Sequence, residues 1–145
     1  MHLSIEIARK IALAYDIACK PVCRALNLPK TAFDILMFLG NNPTYKTASE
    51  IVEVRHIKAN LVSVNVEQLV QKGYLIRQPM EGDRRKTALY CTEKAEAVIE
   101  RGRECQNAFF EQLFSDVDET TRRTFFDAMQ KLEESLDAFL KDAEE

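Results

Sequence analysis

Residues 69–94, LVQKGYLIRQPMEGDRRKTALYCTEK, decide how this chain is expected to fold. The Lys72-Gly73 pair is a typical helix ending, because glycine tolerates the left-handed conformation that follows the last helical turn. Two runs with strand character follow, residues 74–78 and 86–91. The intervening residues 79–85 are charged and contain proline and glycine, so we predict a β-hairpin with a charged tip.

Two helices joined by a tight turn are predicted before this hairpin. Residues 47–50, Thr-Ala-Ser-Glu, fit a capping box, so a short helix is expected to begin near Ala48 and to end around Val54. The next helix is predicted over residues 57–72. Residues 61–66 also alternate as in a strand, but the helix is favoured because the larger apolar side chains fall roughly on one helical face. These side chains are Ile57, Val62, Val66 and Leu69.

Longer helices are predicted on both sides of this region. Residues 3–26 carry apolar side chains at helical spacing, and Pro21 is expected to kink or interrupt that helix. A second helix is predicted from Pro29 to about Leu39, and residues 40–43, Gly-Asn-Asn-Pro, are expected to stop it and form a turn. After the hairpin, Thr92 is expected to cap a helix that continues to about residue 114, and a last helix follows the break at residues 115–118.

This order of elements is that of a winged helix-turn-helix. We therefore predict a mainly α fold with a small β-hairpin wing, whose N- and C-terminal helices form a dimerisation bundle. The predicted segments are an N-terminal dimerisation helix (1–27), a winged helix-turn-helix region (28–94) and C-terminal dimerisation helices (95–145). The outer helices hold more apolar residues than a small winged domain can cover, which favours a homodimer. Packing as a bundle within one chain is the alternative.

Charge is distributed unevenly along the 145 residues. The whole chain has 20 basic and 23 acidic residues, a net charge of −3, which is not the usual balance of a nucleic-acid binder. Residues 55–94 nevertheless carry eight basic and four acidic residues, whereas residues 95–145 carry six basic and fourteen acidic ones. Because charges are screened beyond about 10 Å at moderate salt, the basic middle segment can attract phosphate despite the acidic total.

Several classes of protein are disfavoured by the sequence. The longest stretch without a charge, residues 35–45, is too short for a membrane span of about 20 apolar residues. Residues 1–10 alternate apolar and charged residues, so no signal peptide is expected and we predict a cytoplasmic protein. The four glycines lie far apart, which excludes phosphate-binding glycine loops.

The cysteines leave two interpretations open. Cys19 and Cys23 share a helical face, where they either pack as small apolar residues or form a redox-sensing pair beside Lys20 and Arg24. A cysteine enzyme would need a nearby base, and the chain has only two histidines, His2 and His56. No CxxC pair is present. We therefore predict no metal, no cofactor and no enzymatic activity.

The second helix of a helix-turn-helix lies in the DNA major groove, with the hairpin beside it. With the four apolar residues inward, residues 59, 60, 63, 64 and 67 face outward. Asparagine can pair with adenine and serine with several bases, so the polar residues near the start of this helix are candidates for base contact. Arg84, Arg85 and Lys86 bring three positive charges to the wing, where the alternative is a solvated surface. The polar candidates are Lys58, Asn60, Ser63 and Asn65.

Over residues 28–102 the chain resembles the MarR family of transcriptional regulators. The segments that carry the resemblance are residues 28–36 (LPKTAFDIL), 47–51 (TASEI), 69–77 (LVQKGYLIR), 82–86 (GDRRK) and 89–94 (LYCTEK). Their most specific part is the Asp-Arg-Arg wing followed by a strand and a Thr-Glu-Lys helix start. The chain departs from the family at Ala95, where many members have glycine, at the aliphatic Leu61 and Val64, and at Pro21.

The resemblance implies a homodimer whose first and last helices interleave, bound to a pseudo-palindromic operator in double-stranded DNA. It also implies release by a small-molecule effector or by oxidation. Asp83 would brace the wing through Arg85, while a wing arginine reaches the minor groove. An effector pocket is expected between the long helices and the winged region, although its candidate lining residues also suit a plain core. These are Tyr15, Phe33 and Met37.

We therefore predict a sequence-specific, DNA-binding transcriptional regulator, with a repressor as the expected type. The alternatives are a winged-helix module that binds protein instead of DNA, and a thiol-based regulator that uses Cys19 and Cys23. The aliphatic Leu61 and Val64 are the main support for the first alternative. The predicted DNA-contacting residues are Lys46, Thr47, Arg55, His56, Lys58, Asn60, Ser63, Val64, Arg77, Asp83, Arg84, Arg85 and Lys86.

Overall fold

The computed structural model describes residues 5–144, so His2 and the predicted helix start at residue 3 lie outside the described residues. Six helices and one two-stranded antiparallel sheet follow one another along this part of the chain, which confirms the mainly α fold with a β-hairpin. The elements are α1 (Ile5–Leu26), α2 (Lys30–Asn41), α3 (Ala48–Arg55), α4 (Ala59–Gln71), β1 (Leu75–Met80), β2 (Asp83–Cys91), α5 (Glu93–Leu113) and α6 (Glu119–Glu144).

Local signals set the ends of α3 and α4. The Thr47 hydroxyl accepts a hydrogen bond from the Glu50 amide at 3.2 Å, and the Glu50 carboxylate accepts one from the Thr47 amide at 2.8 Å. This is the predicted capping box, in which two amides that lack helical partners are satisfied reciprocally. At the other end, Gly73 has φ +81°, and the Tyr74 amide donates to the Leu69 carbonyl at 2.9 Å. The predicted glycine ending of α4 is therefore confirmed.

The hairpin is longer than predicted. Pro79 pairs with Thr87 and Met80 pairs with Asp83, with a register irregularity between the two pairs. The prediction of a loop over residues 79–85 was therefore wrong, since only two residues form the turn. Proline is tolerated in β1 because this strand lies at an edge of the two-stranded sheet. Gly82, with φ +87°, supplies the left-handed turn conformation.

The hydrophobic core is built around α2, seven of whose twelve residues are buried. Helix α2 ends at Asn41, within the stop predicted at residues 40–43, and Gly40 lies in its last turn. At Gly40 the backbone lies so close to the buried Ile99 of α5 that an added Cβ would come within 2.7 Å of its side chain. Glycine at this position is thus explained by close packing between the two helices and not by termination of the helix.

Helix α1 continues through Pro21 without interruption. Proline removes one amide donor from the helix, but the residues around Pro21 keep helical geometry and Cys19 and Cys23 pack into the core. Lys30, in the first turn of α2, forms salt bridges with Asp16 at 3.0 Å and with Asp34 at 2.6 Å. The predicted interruption at Pro21 was therefore wrong, because contacts with α2 hold the helix on both sides of it.

The chain divides into two compact units, residues 1–107 and 108–145, with the boundary inside α5. The first unit contains the core, the helix-turn-helix and the hairpin. The second contains the end of α5 and all of α6, whose start is capped by Asp118, since its carboxylate accepts the Thr121 amide hydrogen bond at 2.9 Å. Among the described residues, no helix is long and apolar enough to cross a membrane.

Candidate nucleic-acid interface

The outward face of α4 carries the predicted base-reading side chains. Asn60, Ser63 and Val64 are all exposed, and Val64 keeps 56% of its surface accessible. Asn65 does not belong to this face. It is only 5% exposed, and its amide group donates to the Leu61 carbonyl at 2.8 Å. The interpretation of Asn65 as a base-contact candidate was therefore wrong, because its position turns its side chain into the protein.

A cluster of exposed basic residues lies in the turn before α4. Arg55 ends α3, His56 follows in the left-handed conformation with φ 52°, and Lys58 occupies the N-cap of α4. A non-glycine residue in this conformation stores backbone strain, which is common at functional sites. The positive end of the α4 dipole adds to these charges. The turn therefore combines side-chain and backbone donors suited to a phosphate group.

Lys46 and Thr47 are placed differently from the other predicted contacts, because both are half-buried and already engaged. The Lys46 ammonium lies 5.5 Å from the centre of the Tyr90 ring. The main-chain carbonyl of Lys46 accepts a hydrogen bond from the Leu89 amide at 2.6 Å. The Thr47 hydroxyl is used in the capping box. Lys46 thus connects the start of α3 to β2 and Thr47 caps α3, so the observed contacts of both residues are structural.

The wing places Asp83, Arg84, Arg85 and Lys86 together at the start of β2, all exposed. The Asp83 carboxylate accepts a hydrogen bond at 3.1 Å from the main-chain amide of Arg85. The expected brace between Asp83 and Arg85 is thus made by the backbone of Arg85, and the guanidinium takes no part in this hydrogen bond. Three consecutive positive charges on a strand edge form a surface that attracts anions.

Arg77 is held by a partner that the sequence analysis did not assign. Its guanidinium lies 2.8 Å from the carboxylate of Glu67, and both side chains are about half exposed. Glu67 follows Ser63 and Val64 on the outward face of α4 and is the only charged residue within that helix. The sequence placed Glu67 on this face but gave no signal of its contact with β1, which depends on how the hairpin packs against α4.

A shallow groove of about 230 Å³ lies between α3, α4 and the hairpin. Its apolar lining includes Val62, Val66 and Leu89, and its polar lining includes Ser63, Arg77 and Thr87. The groove therefore brings the middle of α4 and the inner part of both hairpin strands to one surface. Recognition-helix and wing residues that are distant in sequence lie together there.

The cysteines considered as a redox pair are buried. Cys19 is fully buried and Cys23 nearly so, and neither forms a disulfide. Burial raises the pKa of the Cys19 thiol to about 11 and raises that of Cys23 as well. A redox sensor needs an accessible, readily ionised thiol, and the structure provides neither property at these positions. Burial in the core favours the packing interpretation.

The residues expected to line an effector pocket are also packed. Phe33 and Met37 are buried in the core, and Tyr15 accepts a hydrogen bond from Gln106 at 2.8 Å. A Cβ added to Gly102 would collide with the Met37 sulfur and approach Phe33 to 3.1 Å. The contacts of these three residues therefore fit the plain core that was the alternative to an effector pocket. Among the described residues, no three His, Cys, Asp or Glu side chains are grouped as a metal site would require.

Comparisons with known proteins agree with this architecture. A sequence profile of the MarR family matches residues 26–86. The HTH-type transcriptional regulator PecS of Dickeya dadantii (strain 3937) is 32% identical over 101 residues, which are 68% of this chain; the chain spans about 61% of the length of that relative. The crystal structure of MarR superposes with a TM-score of 0.81 at 18% identity, covering 98% of this chain and 99% of that one. A MarR family regulator from Listeria monocytogenes, complexed with 26mer DNA, superposes with a TM-score of 0.80 at 20% identity. The match covers 94% of this chain and 90% of that one.

Proposed function

This chain belongs to the MarR family, whose winged helix-turn-helix it carries over residues 26–86, and from this premise we propose that the protein is a sequence-specific, DNA-binding transcriptional regulator that acts as a homodimer. The observation that carries the proposal is that Ser63 of α4 and Arg77 of β1, two predicted DNA contacts, line one groove between α3, α4 and the hairpin. The curated relative is named as a transcriptional regulator, and one structural neighbour is complexed with DNA. The relative's name supports the proposed role in transcription, and the neighbour's complex supports the proposed binding to DNA.

In this proposal α4 enters the major groove. Asn60 and Ser63 offer hydrogen bonds to base edges, while Val64 offers an aliphatic contact to a thymine methyl group. Arg84, Arg85 and Lys86 approach the backbone or the adjacent minor groove. Arg55, His56 and Lys58 bind phosphate at the start of α4, so that backbone contacts fix the orientation in which α4 reads the bases.

The proposed homodimer is supported by exposed apolar side chains on α1 and on α6. α1 exposes five large aliphatic side chains, and α6 exposes seven large apolar ones. The seven residues of α6 recur at helical spacing and form one apolar face, and an exposed apolar face of this kind marks an interaction site. On α1 these residues are Ile5, Ile7, Ile11, Leu13 and Ile17, and on α6 they are Phe125, Phe126, Met129, Leu132, Leu136, Phe139 and Leu140.

For release from DNA we propose a small-molecule effector in preference to oxidation. The buried state of Cys19 and Cys23 supports this choice, because a thiol must be accessible to react with an oxidant. We also propose that the protein acts in the cytoplasm and that it has no enzymatic activity.

A second candidate function, a winged-helix module that binds another protein, is favoured by one observation. Leu61 and Val64 keep 44% and 56% of their surfaces exposed on the outward face of α4. Aliphatic side chains at these positions suit an apolar protein surface as well as thymine methyl groups. The two functions predict opposite results in a DNA titration.

The deciding experiment is a titration of the full chain with duplex DNA from its own upstream region, and with a scrambled duplex of equal length, at several salt concentrations. DNA binding predicts tighter binding to the upstream duplex, with a footprint of two half-sites about one helical turn apart. The DNA-binding function would be refuted if the protein bound both duplexes equally, bound them without dependence on salt, or bound neither. Each of these results would favour the protein-binding module. Repeating the titration after peroxide treatment tests the effector proposal, which predicts unchanged affinity.

A further inference from the structure

The salt bridge between Glu67 and Arg77 joins the proposed recognition helix to the wing. Its two charged atoms lie 2.8 Å apart, and the side chains keep 51% and 41% of their surfaces exposed. An exposed pair of this kind contributes little to folding. It does, however, decide whether one of the eight basic residues of the segment 55–94 is available to DNA.

Helix α4 itself is poor in positive charge. Helix α4 contains no basic residue between its N-cap at Lys58 and its C-cap at Lys72, and Glu67 is its only charged residue. Arg77 lies at the groove where α4 and the hairpin meet, close to the surface that DNA would occupy. A DNA phosphate that approaches Arg77 must therefore compete with a carboxylate already bound to it.

We propose that Glu67 is an electrostatic specificity residue that restrains Arg77 and so limits the binding of DNA of arbitrary sequence. This inference rests on the proposed DNA-binding function. Phosphate contacts supply nearly all of the affinity for non-specific DNA, so withholding one guanidinium per chain lowers this affinity. The described hydrogen bonds of Glu67 are with Gln71 and Arg77, so its replacement breaks none made by Asn60, Ser63 or Val64.

The test measures binding to a random-sequence duplex as a function of salt for the dimeric full chain. Glu67→Gln keeps the shape of the side chain and releases Arg77 to contact phosphate. Each additional phosphate contact steepens the log–log salt slope by about 0.9, so a dimer gains about 1.8. When the salt concentration is lowered from 200 mM to 50 mM, the affinity of both proteins for the random duplex rises. The rise should be roughly twelvefold larger for the variant than for the original protein.

Two further variants show whether the effect passes through Arg77. In the Arg77→Gln background, Glu67→Gln should leave the salt slope unchanged, since no guanidinium remains to be released. Glu53→Gln is the matched control, because it removes one exposed carboxylate from neighbouring α3 without touching the pair. Circular dichroism checks that all variants are folded.

The possible outcomes separate this inference from the proposed function. The restraint of Arg77 by Glu67 would be overturned if Glu67→Gln steepened the salt slope equally in the Arg77→Gln background. It would also be overturned if Glu67→Gln alone left the salt slope unchanged. In both cases the proposed DNA binding by the original protein would stand. A change in operator preference with an unchanged random-duplex slope would show that Glu67 contacts a base instead, which also overturns it. Absence of DNA binding by the original protein would overturn both proposals.

Discussion

Leu136→Asp in α6 is the sharpest test of the proposed dimer. Leu136 is 60% exposed in the single chain, and full burial of a leucine side chain stabilises by about 1.5–3 kcal/mol. A partner that covers the exposed part therefore gains about 0.9–1.8 kcal/mol from each copy, or about 2–4 kcal/mol from the two copies in a symmetric dimer. Loss of this contribution raises the dimer Kd roughly twentyfold to several hundredfold, and burial of the new carboxylate raises it further.

Sedimentation velocity over a range of protein concentrations measures this change. The matched control is Ala138→Asp, which introduces the same charge on the same helix about 200° away around its axis. Ala138 is exposed and lies outside the apolar face, so this control should dimerise like the original protein. If Leu136→Asp dimerises as tightly as the control, the exposed face of α6 is not the dimer interface and the reasoning fails.

Three further predictions concern the wing, the core and a helix cap. Arg84→Ala with Arg85→Ala should weaken operator binding and flatten its salt slope, by about 0.9 for each phosphate that is no longer bound, without lowering the Tm because both residues are exposed. Gly102→Ala should reduce the free energy of unfolding in urea by about 1–2 kcal/mol, since the overpacking of Met37 outweighs the higher helix propensity of alanine. Burial opposes ionisation of Glu50, but hydrogen bonds from two main-chain amides outweigh it and lower its pKa. Its ionised form therefore stabilises the fold at pH values above the unfolded-state pKa, and the stability advantage over Glu50→Gln should shrink as the pH falls through the lower folded pKa.

Each of these predictions has a result that would contradict it. Unchanged operator affinity at fixed salt would remove the wing arginines from the interface. A Gly102→Ala protein as stable as the original would mean that the core around Met37 can rearrange freely. A stability difference for Glu50→Gln that does not vary with pH across the acid range, measured by urea unfolding at each pH, would mean that the capping carboxylate does not carry the effect.

Short-range signals were predicted well because their physical causes act within one helical turn. The capping box at residues 47–50, the glycine ending at Gly73 and the two-stranded hairpin each depend on residues that are close in sequence. The course of helix α1 at Pro21 was predicted less accurately. Proline and glycine normally disfavour helices, but at Pro21 and Gly40 the packing of neighbouring helices outweighs this preference.

The candidate site could be predicted only in part. The exposed positions on α4 follow from the helical period once the apolar face is known, so Asn60, Ser63 and Val64 were placed correctly on its surface. The contacts of Lys46 and Arg77 were not predictable, because each involves a side chain on another element. The burial of Asn65 escaped prediction because its polar amide is satisfied by a carbonyl of its own helix.

The sequence by itself determined the order of elements, the turn chemistry and the concentration of positive charge in the middle of the chain, since all three are properties of neighbouring residues. Only the tertiary structure decided which of these charges are available. It paired Arg77 with Glu67, and it buried Cys19 fully and Cys23 almost fully. The physical reason is that ionisation and ion pairing depend on distance and burial in three dimensions, and the packing of α4 against the hairpin sets these quantities for the pair.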